Sequence, residues 1–481
     1  MKKKWSLTGL VLAFWLLQGC GGPDKVAQID EVVTAAYENN FFIGSVLVAE
    51  HGKVIYSKGF GDANHEWEIP NAPDTKHRIA SMNKQFTSML VLQLVEEGRM
   101  SLEATVRDYL PEYPAEPGGA LTIHQLLSHT SGMPHYASLP GLFPNRSRHT
   151  YTPKEYMRLF WELDLLFEPG SQYSYSSFGY FLLGVILEEV TGETYANLLR
   201  DKILGPVGMD DSGMEDHLTI EGKKATGHNP TLSGFRKAAY RDMSTAFSTG
   251  AMFSTVEDFY LWDRALYTDD LLSPELKKLM FTPNINGYGY GWRIGSYTLE
   301  NSSDSVTIVQ HGGSTNGFNS TVVRIIEDEH LIVLLANSNP ASRGFWREIR
   351  NILYDQPYEL SRKPISRRLW DVINASGLEA ALAEYRTLKE SAADEYNFSE
   401  RQLNTLGYIL MGEDEIAAAI AIFRLNVEAY PGSANVYDSL GEAYMNAGDN
   451  AQAITNYQRS LELEPDNRNA AEMIAQLQDE S

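Results

Sequence analysis

Apolar positions along this chain of 481 residues change their spacing three times. Near the amino end, Phe42–Glu50 and Val54–Gly61 are apolar β-type runs joined by His51-Gly52-Lys53, which predicts a hairpin. A second pair, Thr321–Ile326 and Leu331–Ala336, flanks Glu327-Asp328-Glu329-His330 and predicts another hairpin able to complete the same sheet. Between the pairs, apolar residues return at helical spacing: Phe86, Met89, Leu90, Leu92 and Leu94 within Phe86–Glu97, and again over Phe181–Thr191. Strands at both ends enclosing helices predict an α+β fold: an antiparallel sheet flanked by helices, with a helical subdomain inserted between its strands. The alternating order of a doubly wound parallel sheet is not present.

The third regime is a repeat. Leu406-Gly407, Ala419, Phe423 and Pro431 recur as Leu440-Gly441, Ala453, Tyr457 and Pro465, each 34 residues on. Small residues let paired helices approach, aromatics fill the space between them, and proline ends the second helix. The period and the pattern resemble tetratricopeptide repeats, and Leu378–Tyr385 resembles the second helix of a degraded copy. Such a short all-α solenoid needs capping or docking, and its resemblance implies a protein partner through residues 402–468.

Composition adds an address and a boundary. Lys2, Lys3 and Lys4 precede an apolar run from Trp5 to Leu17, shorter than a membrane-spanning helix, and Leu17-Gln18-Gly19-Cys20 resembles a bacterial lipobox. Residues 1–19 are therefore expected to be a signal peptide, with Cys20 lipidated and residues 20–27 a tether. Gly21 resembles the sorting pattern of outer-membrane lipoproteins, which places the chain in the cell envelope facing the periplasm, on the membrane by its lipid alone. Cys20 is the only cysteine, so no disulfide forms within the chain. Residues 28–355 read as one domain, 356–371 as a linker marked by the basic, proline-containing Arg362–Arg368, and 372–481 as the repeat domain. From Asp371 to Ser481 there are 20 acidic against 6 basic residues, and the whole chain carries −23, which excludes nucleic acid as a partner class.

Candidate chemistry lies in three ordered segments. Ser81 and Lys84 form the only Ser-x-x-Lys in the chain, at the start of the first helical pattern. Spacing puts them one turn apart on one face, where a lysine whose pKa is lowered by burial or nearby positive charge can take the serine proton. Tyr175 and Ser177 stand in a polar aromatic run feeding the second helix, with Tyr175 the candidate second base. Val306–Ser314 is a strand pattern ending in His311-Gly312-Gly313-Ser314. Glycine there leaves a strand edge open to an extended acyl substrate, and the Ser314 amide can join the Ser81 amide as an oxyanion hole.

Together, Ser81-x-x-Lys84, Tyr175-x-Ser177 and His311-x-Gly313 resemble the three motifs of the class C β-lactamase and penicillin-recognising serine hydrolase family. Leu121–Pro134, Gly205–Ser212, Ser248–Asp258 and Tyr288–Trp292 resemble its flanking segments, over roughly residues 28–355. The resemblance implies a Ser81 acyl-enzyme, with Lys84 and Tyr175 sharing the acid and base roles in an order left open, and no cofactor. Two departures bear on substrate. Ser177 stands where the family usually has asparagine, and His311 replaces the lysine of true β-lactamases, so a fixed cation for a β-lactam carboxylate is missing. Esters and D-amino-acid-containing peptides or amides, including cell-wall-derived ones, therefore rank above β-lactams. The alternatives are an acylating or inactive penicillin-binding-like protein whose repeats bind partners, and a β-lactamase. No Gly-x-Ser-x-Gly elbow and no His-Glu-x-x-His occurs; His124, His129 and His135 read as loop or core histidines, and Met133–Arg148 as an edge of the cleft.

Overall fold

A computed structural model describes residues 24–143, 145–300, 304–338 and 344–479. The signal and lipidation reading, Cys20 included, lies outside them. No helix among the described residues is long and apolar enough to cross a membrane.

The main sheet has six antiparallel strands: β1 (Gly44–Glu50), β2 (Lys53–Phe60), β3 (Arg293–Thr298), β4 (Ser305–Thr315), β5 (Phe318–Ile325) and β6 (His330–Ala336). Their spatial order is β3-β4-β5-β6-β1-β2. The amino-terminal hairpin thus pairs with the late one through β1 and β6, in register from Gly44 opposite Ala336 to Ala49 opposite Leu331. His51 and Gly52, both at positive φ, make the two-residue turn whose twist suits a hairpin, and Asn316-Gly317, with Gly317 alone at positive φ, joins β4 to β5.

Period-two alternation divides the sheet between two cores. Val46, Val48, Val323, Ile332 and Leu334 face α1 (Lys25–Glu38), while Leu47, Ala49, Val322, Val333 and Leu335 face α2 (Lys84–Glu96), α3 (Ser177–Thr191) and α4 (Val256–Ala265). α5 (Trp346–Leu353) joins α1 on the first face. Helix α1 begins at Lys25, so the expected tether contributes its last three residues to the folded domain. Across the second core, Arg324 of β5 bonds the Asp263 carboxylate of α4 at 2.6 Å with both side chains buried.

The linker is shorter than expected. Ile365–Ser376 is helix α6, whose Ile365, Leu369 and Trp370 are buried in the repeat-domain core, so the stretch assigned to a linker up to 371 already belongs to that domain. α6 pairs with α7 (Leu378–Ser391), completing the degraded repeat. Then follow α8 (Glu400–Gly412) with α9 (Ile416–Ala429), α10 (Ala434–Asn446) with α11 (Asn450–Leu463), and a last helix α12 (Arg468–Asp479). A Cβ at Gly407 would stand 2.5 Å from the Phe423 ring, and one at Gly441 3.0 Å from Tyr457, which is why the repeat keeps glycine there. Leu232 of the first domain packs on this helical core, and Asn39 Nδ2 donates to the Ser361 carbonyl at 2.7 Å.

Candidate active site

Ser81 sits in a 3-10 turn, Ala80–Asn83, just ahead of α2, so the α-helix opens at Lys84 and not at the serine. Ala80 has φ of +47°, a region costly for a residue with a Cβ, and this bend presents Ser81 to the cleft. The turn is pinned from both sides: the Ile79 amide donates to the Met252 carbonyl at 3.1 Å, and Ser320 Oγ donates to the Ile79 carbonyl at 2.7 Å.

Lys84 is fully buried. Its Nζ lies 3.3 Å from Ser81 Oγ and 3.0 Å from the Thr249 carbonyl. Burial, aided by the positive charge of Arg241, lowers its pKa to about 7. A neutral amine here donates a hydrogen to Thr249 and turns its lone pair toward the serine hydroxyl, the arrangement a general base requires.

Tyr175 is half-buried beside this pair, its hydroxyl shut from solvent, with Lys84 Nζ 5.1 Å from its ring centre. Burial raises its pKa, opposed by the nearby Ser81 hydroxyl, and its own hydroxyl completes no well-formed hydrogen bond. The ring is therefore a neutral phenol at neutral pH, able to donate a proton and poorly suited to accept one.

His311 on β4 is buried, and its Nδ1 donates to the Gly312 carbonyl at 2.7 Å. Nε2 is then the acceptor, and Tyr288 donates to it at 2.9 Å. Burial first, and then the charge of Lys84, lowers the His311 pKa to about 3, so this histidine is neutral and not partly charged as its free value suggests. Gly313 is required for a different reason than substrate approach. A Cβ there would stand 2.0 Å from the Ile79 carbonyl, so the glycine lets β4 close on the nucleophile turn. β3 stops at Arg293 opposite Gln310, which leaves His311 to Thr315 without a neighbour on that edge, and Ser314 lines the cleft with Ser81.

Ser177, expected to bind substrate, does not line the cleft. Its hydroxyl lies 3.3 Å from Nε2 of His135, which does line it. The Ala137 amide donates to His135 Nδ1 at 3.4 Å, so Nε2 carries the proton and Ser177 accepts it. Burial, Lys84 and Arg241 lower the His135 pKa to about 4 and keep it neutral. His135 and Tyr136 bear out Met133–Arg148 as a cleft edge. Tyr288 stands in the sequence only as part of a motif, and Arg293 and Arg241, which line the cleft and its neighbouring cavity, belong to no motif, because single charged residues carry no spacing signal. His129 packs against Tyr175, ring centres 4.3 Å apart, with Nδ1 accepting from the Ser176 amide at 3.2 Å.

The cleft measures about 440 Å³ and is walled by the two turns and the β4 edge. Glu50, His51 and His330 come together on the hairpin turns, but their donors are engaged: Lys25 bonds Glu50 at 2.8 Å, and the His51 amide donates to His330 Nδ1 at 3.2 Å.

A cleft-facing serine with a buried lysine amine behind it, beside a tyrosine and an open strand edge, has the geometry that serine acyl transfer needs. The chain belongs to the Beta-lactamase family, whose model matches residues 29–354, and a tetratricopeptide-repeat model matches residues 434–467. It is similar to Penicillin-binding protein 4* of Bacillus subtilis, 29% identical over 358 residues that cover 69% of this chain and 76% of that protein. Among solved structures, a penicillin binding protein from Bacillus halodurans matches with a TM-score of 0.60 and 27% identity, over 67% of this chain and 98% of that one. The octameric penicillin-binding protein homologue from Pyrococcus abyssi matches at 0.61 and 26%, over 72% and 81%.

Proposed function

We propose that this chain is a serine hydrolase that works through a Ser81 acyl-enzyme on esters and on D-amino-acid-containing peptides or amides. The observation that carries this reading is the buried Lys84 amine 3.3 Å from Ser81 Oγ, held near neutrality by its surroundings. Lys84 takes the Ser81 proton as the hydroxyl attacks the acyl carbon, and the amides of Ser81 and Ser314 receive the oxyanion. Tyr175, a neutral phenol, protonates the leaving group and regains a proton from the Lys84 ammonium, which frees the Lys84 amine to take a proton from the deacylating water and return it to Ser81 Oγ as the acyl group leaves. Neutral His311 puts no cation at the motif position where β-lactamases carry lysine, and on that ground β-lactams rank last. Lipidation at Cys20 would hold the enzyme on the outer membrane facing the periplasm, with the repeats presented to a protein partner.

The test is intact-protein mass after exposure to a fluorophosphonate, a short-chain aryl ester and a β-lactam, beside Ser81→Ala. The reading expects a Ser81-dependent adduct and faster turnover of the ester than of the β-lactam. No adduct from folded protein with any of the three would remove it. An adduct that persists with the ester, seen as a burst without steady turnover, would favour the acylating penicillin-binding-like alternative.

A further inference from the structure

The cleft at Ser81 continues into a second cavity of about 410 Å³, which shares Tyr136 and Ser314 with it. Arg241 lines this cavity and is 94% buried, since only 6% of it is exposed. Its guanidinium donates to Thr245 Oγ1 at 3.1 Å and to the Thr245 carbonyl at 3.3 Å, and it lies 5.3 Å from the Tyr136 ring and 5.7 Å from that of Phe143. Among the described residues no carboxylate comes within ion-pair distance of it. A buried cation without a counter-charge costs several kcal/mol, and a fold ordinarily avoids this by pairing it, as Arg324 is paired with Asp263. A second polar group on the same cavity is equally unmet: Thr315 Oγ1 is buried and has no hydrogen-bond partner. A buried cation without a counter-charge, on a cavity also lined by Thr315, whose hydroxyl has no hydrogen-bond partner, makes a built site for an anion.

The direction of the cavity says which part of a substrate enters it. The unpaired edge of β4 runs from His311 through Ser314 to Thr315. An acyl chain extended along that edge, with its carbonyl oxygen at the Ser81 and Ser314 amides, runs on toward Thr315 and Arg241. We infer that this cavity is an acyl-side subsite selecting substrates whose acyl chain carries a carboxylate, received by Arg241 and the Thr315 hydroxyl. The inference rests on the Ser81 hydrolase reading and narrows it to acidic acyl groups. Arg241 touches substrate in this account, while its field also helps hold Lys84 neutral.

The experiment compares para-nitrophenyl hydrogen adipate with para-nitrophenyl hexanoate, esters of one chain length that differ in a terminal carboxylate. The full-length protein is expected to favour the adipate about tenfold or more in kcat/KM, the range set by a charge-assisted hydrogen bond. In Arg241→Gln and in Thr315→Val the preference falls toward unity while the hexanoate is still hydrolysed. A merely electrostatic role for Arg241 would slow both esters alike and leave the ratio unchanged, and that result would overturn the inference. Turnover of the hexanoate by the unmodified protein with no preference for the adipate overturns it too, with the hydrolase reading intact and without recourse to a variant. Binding is read separately in Ser81→Ala with N-phenyladipamic acid against N-phenylhexanamide. Equal affinity for the two overturns the subsite whether or not the chain turns over any ester, whereas loss of all Ser81 labelling counts against the hydrolase reading alone.

Discussion

In the proposed mechanism the chemistry turns on Lys84, whose pKa is lowered by its burial and, in the same direction, by the charge of Arg241. With its pKa near 7 in the folded chain and near 10.4 unfolded, the native state binds fewer protons between those values. This group therefore works against stability below its folded pKa, and its contribution improves as pH rises from about 7 to 10. Lys84→Met is expected to lower kcat/KM on an aryl ester about 10²- to 10⁴-fold, the range for loss of a positioned base, while raising the melting temperature at pH 7. Steady-state kinetics and calorimetry on one preparation check both. Ala80 makes an opposite bargain. Ala80→Gly should relieve the +47° backbone and gain about 1 kcal/mol in urea unfolding, while loosening the presentation of Ser81 and lowering kcat. Ser81, Lys84, Tyr175 and His311 could be named from sequence because each sits at a fixed spacing in a motif, and the structure brings all four together. Ser177 illustrates the limit. Its place in the motif suggested substrate contact, but its short hydroxyl turns to His135, a partner 42 residues away that no local pattern reveals.

Elements follow the periodicity closely where one face or both faces of a segment are buried. β1, β2, β5, β6, α2 and α3 lie within a few residues of their sequence patterns, since their apolar positions leave one register that buries them. β3 escaped notice because its residues are largely exposed and its alternation is weak. The 356–371 linker failed for a related reason: the basic residues of Arg362–Arg368 dominate the composition, whereas Ile365, Leu369 and Trp370 bury one side of α6. A buried ion pair, Asp263 with Arg324, bridges α4 and β5 within their shared apolar core. Asp263→Ala leaves that guanidinium uncompensated and should cost about 3–5 kcal/mol, read as a shift of the denaturation midpoint, with the Ser81 site intact in the fraction that stays folded.

At the scale of the whole molecule, hairpins from opposite ends of one domain close a single sheet, the Ser81 turn packs on β4 and β5 of that sheet, and the domain is joined to a helical array by few contacts. Leu232 supplies an apolar contact at the join. Leu232→Asp is expected to speed proteolytic nicking between residues 356 and 364 several-fold without changing ester turnover, and a time course of limited proteolysis would show it. The acyl-transfer account itself is tested most directly by the pH dependence of Ser81 acylation by a fluorophosphonate, measured as an intact-mass rate in the full chain and in Lys84→Met. The account predicts a rate that rises through a midpoint near pH 7 as Lys84 loses its proton, with this limb and most of the rate absent from the variant. A rate that is flat from pH 5 to 9, or unchanged in Lys84→Met, would contradict it.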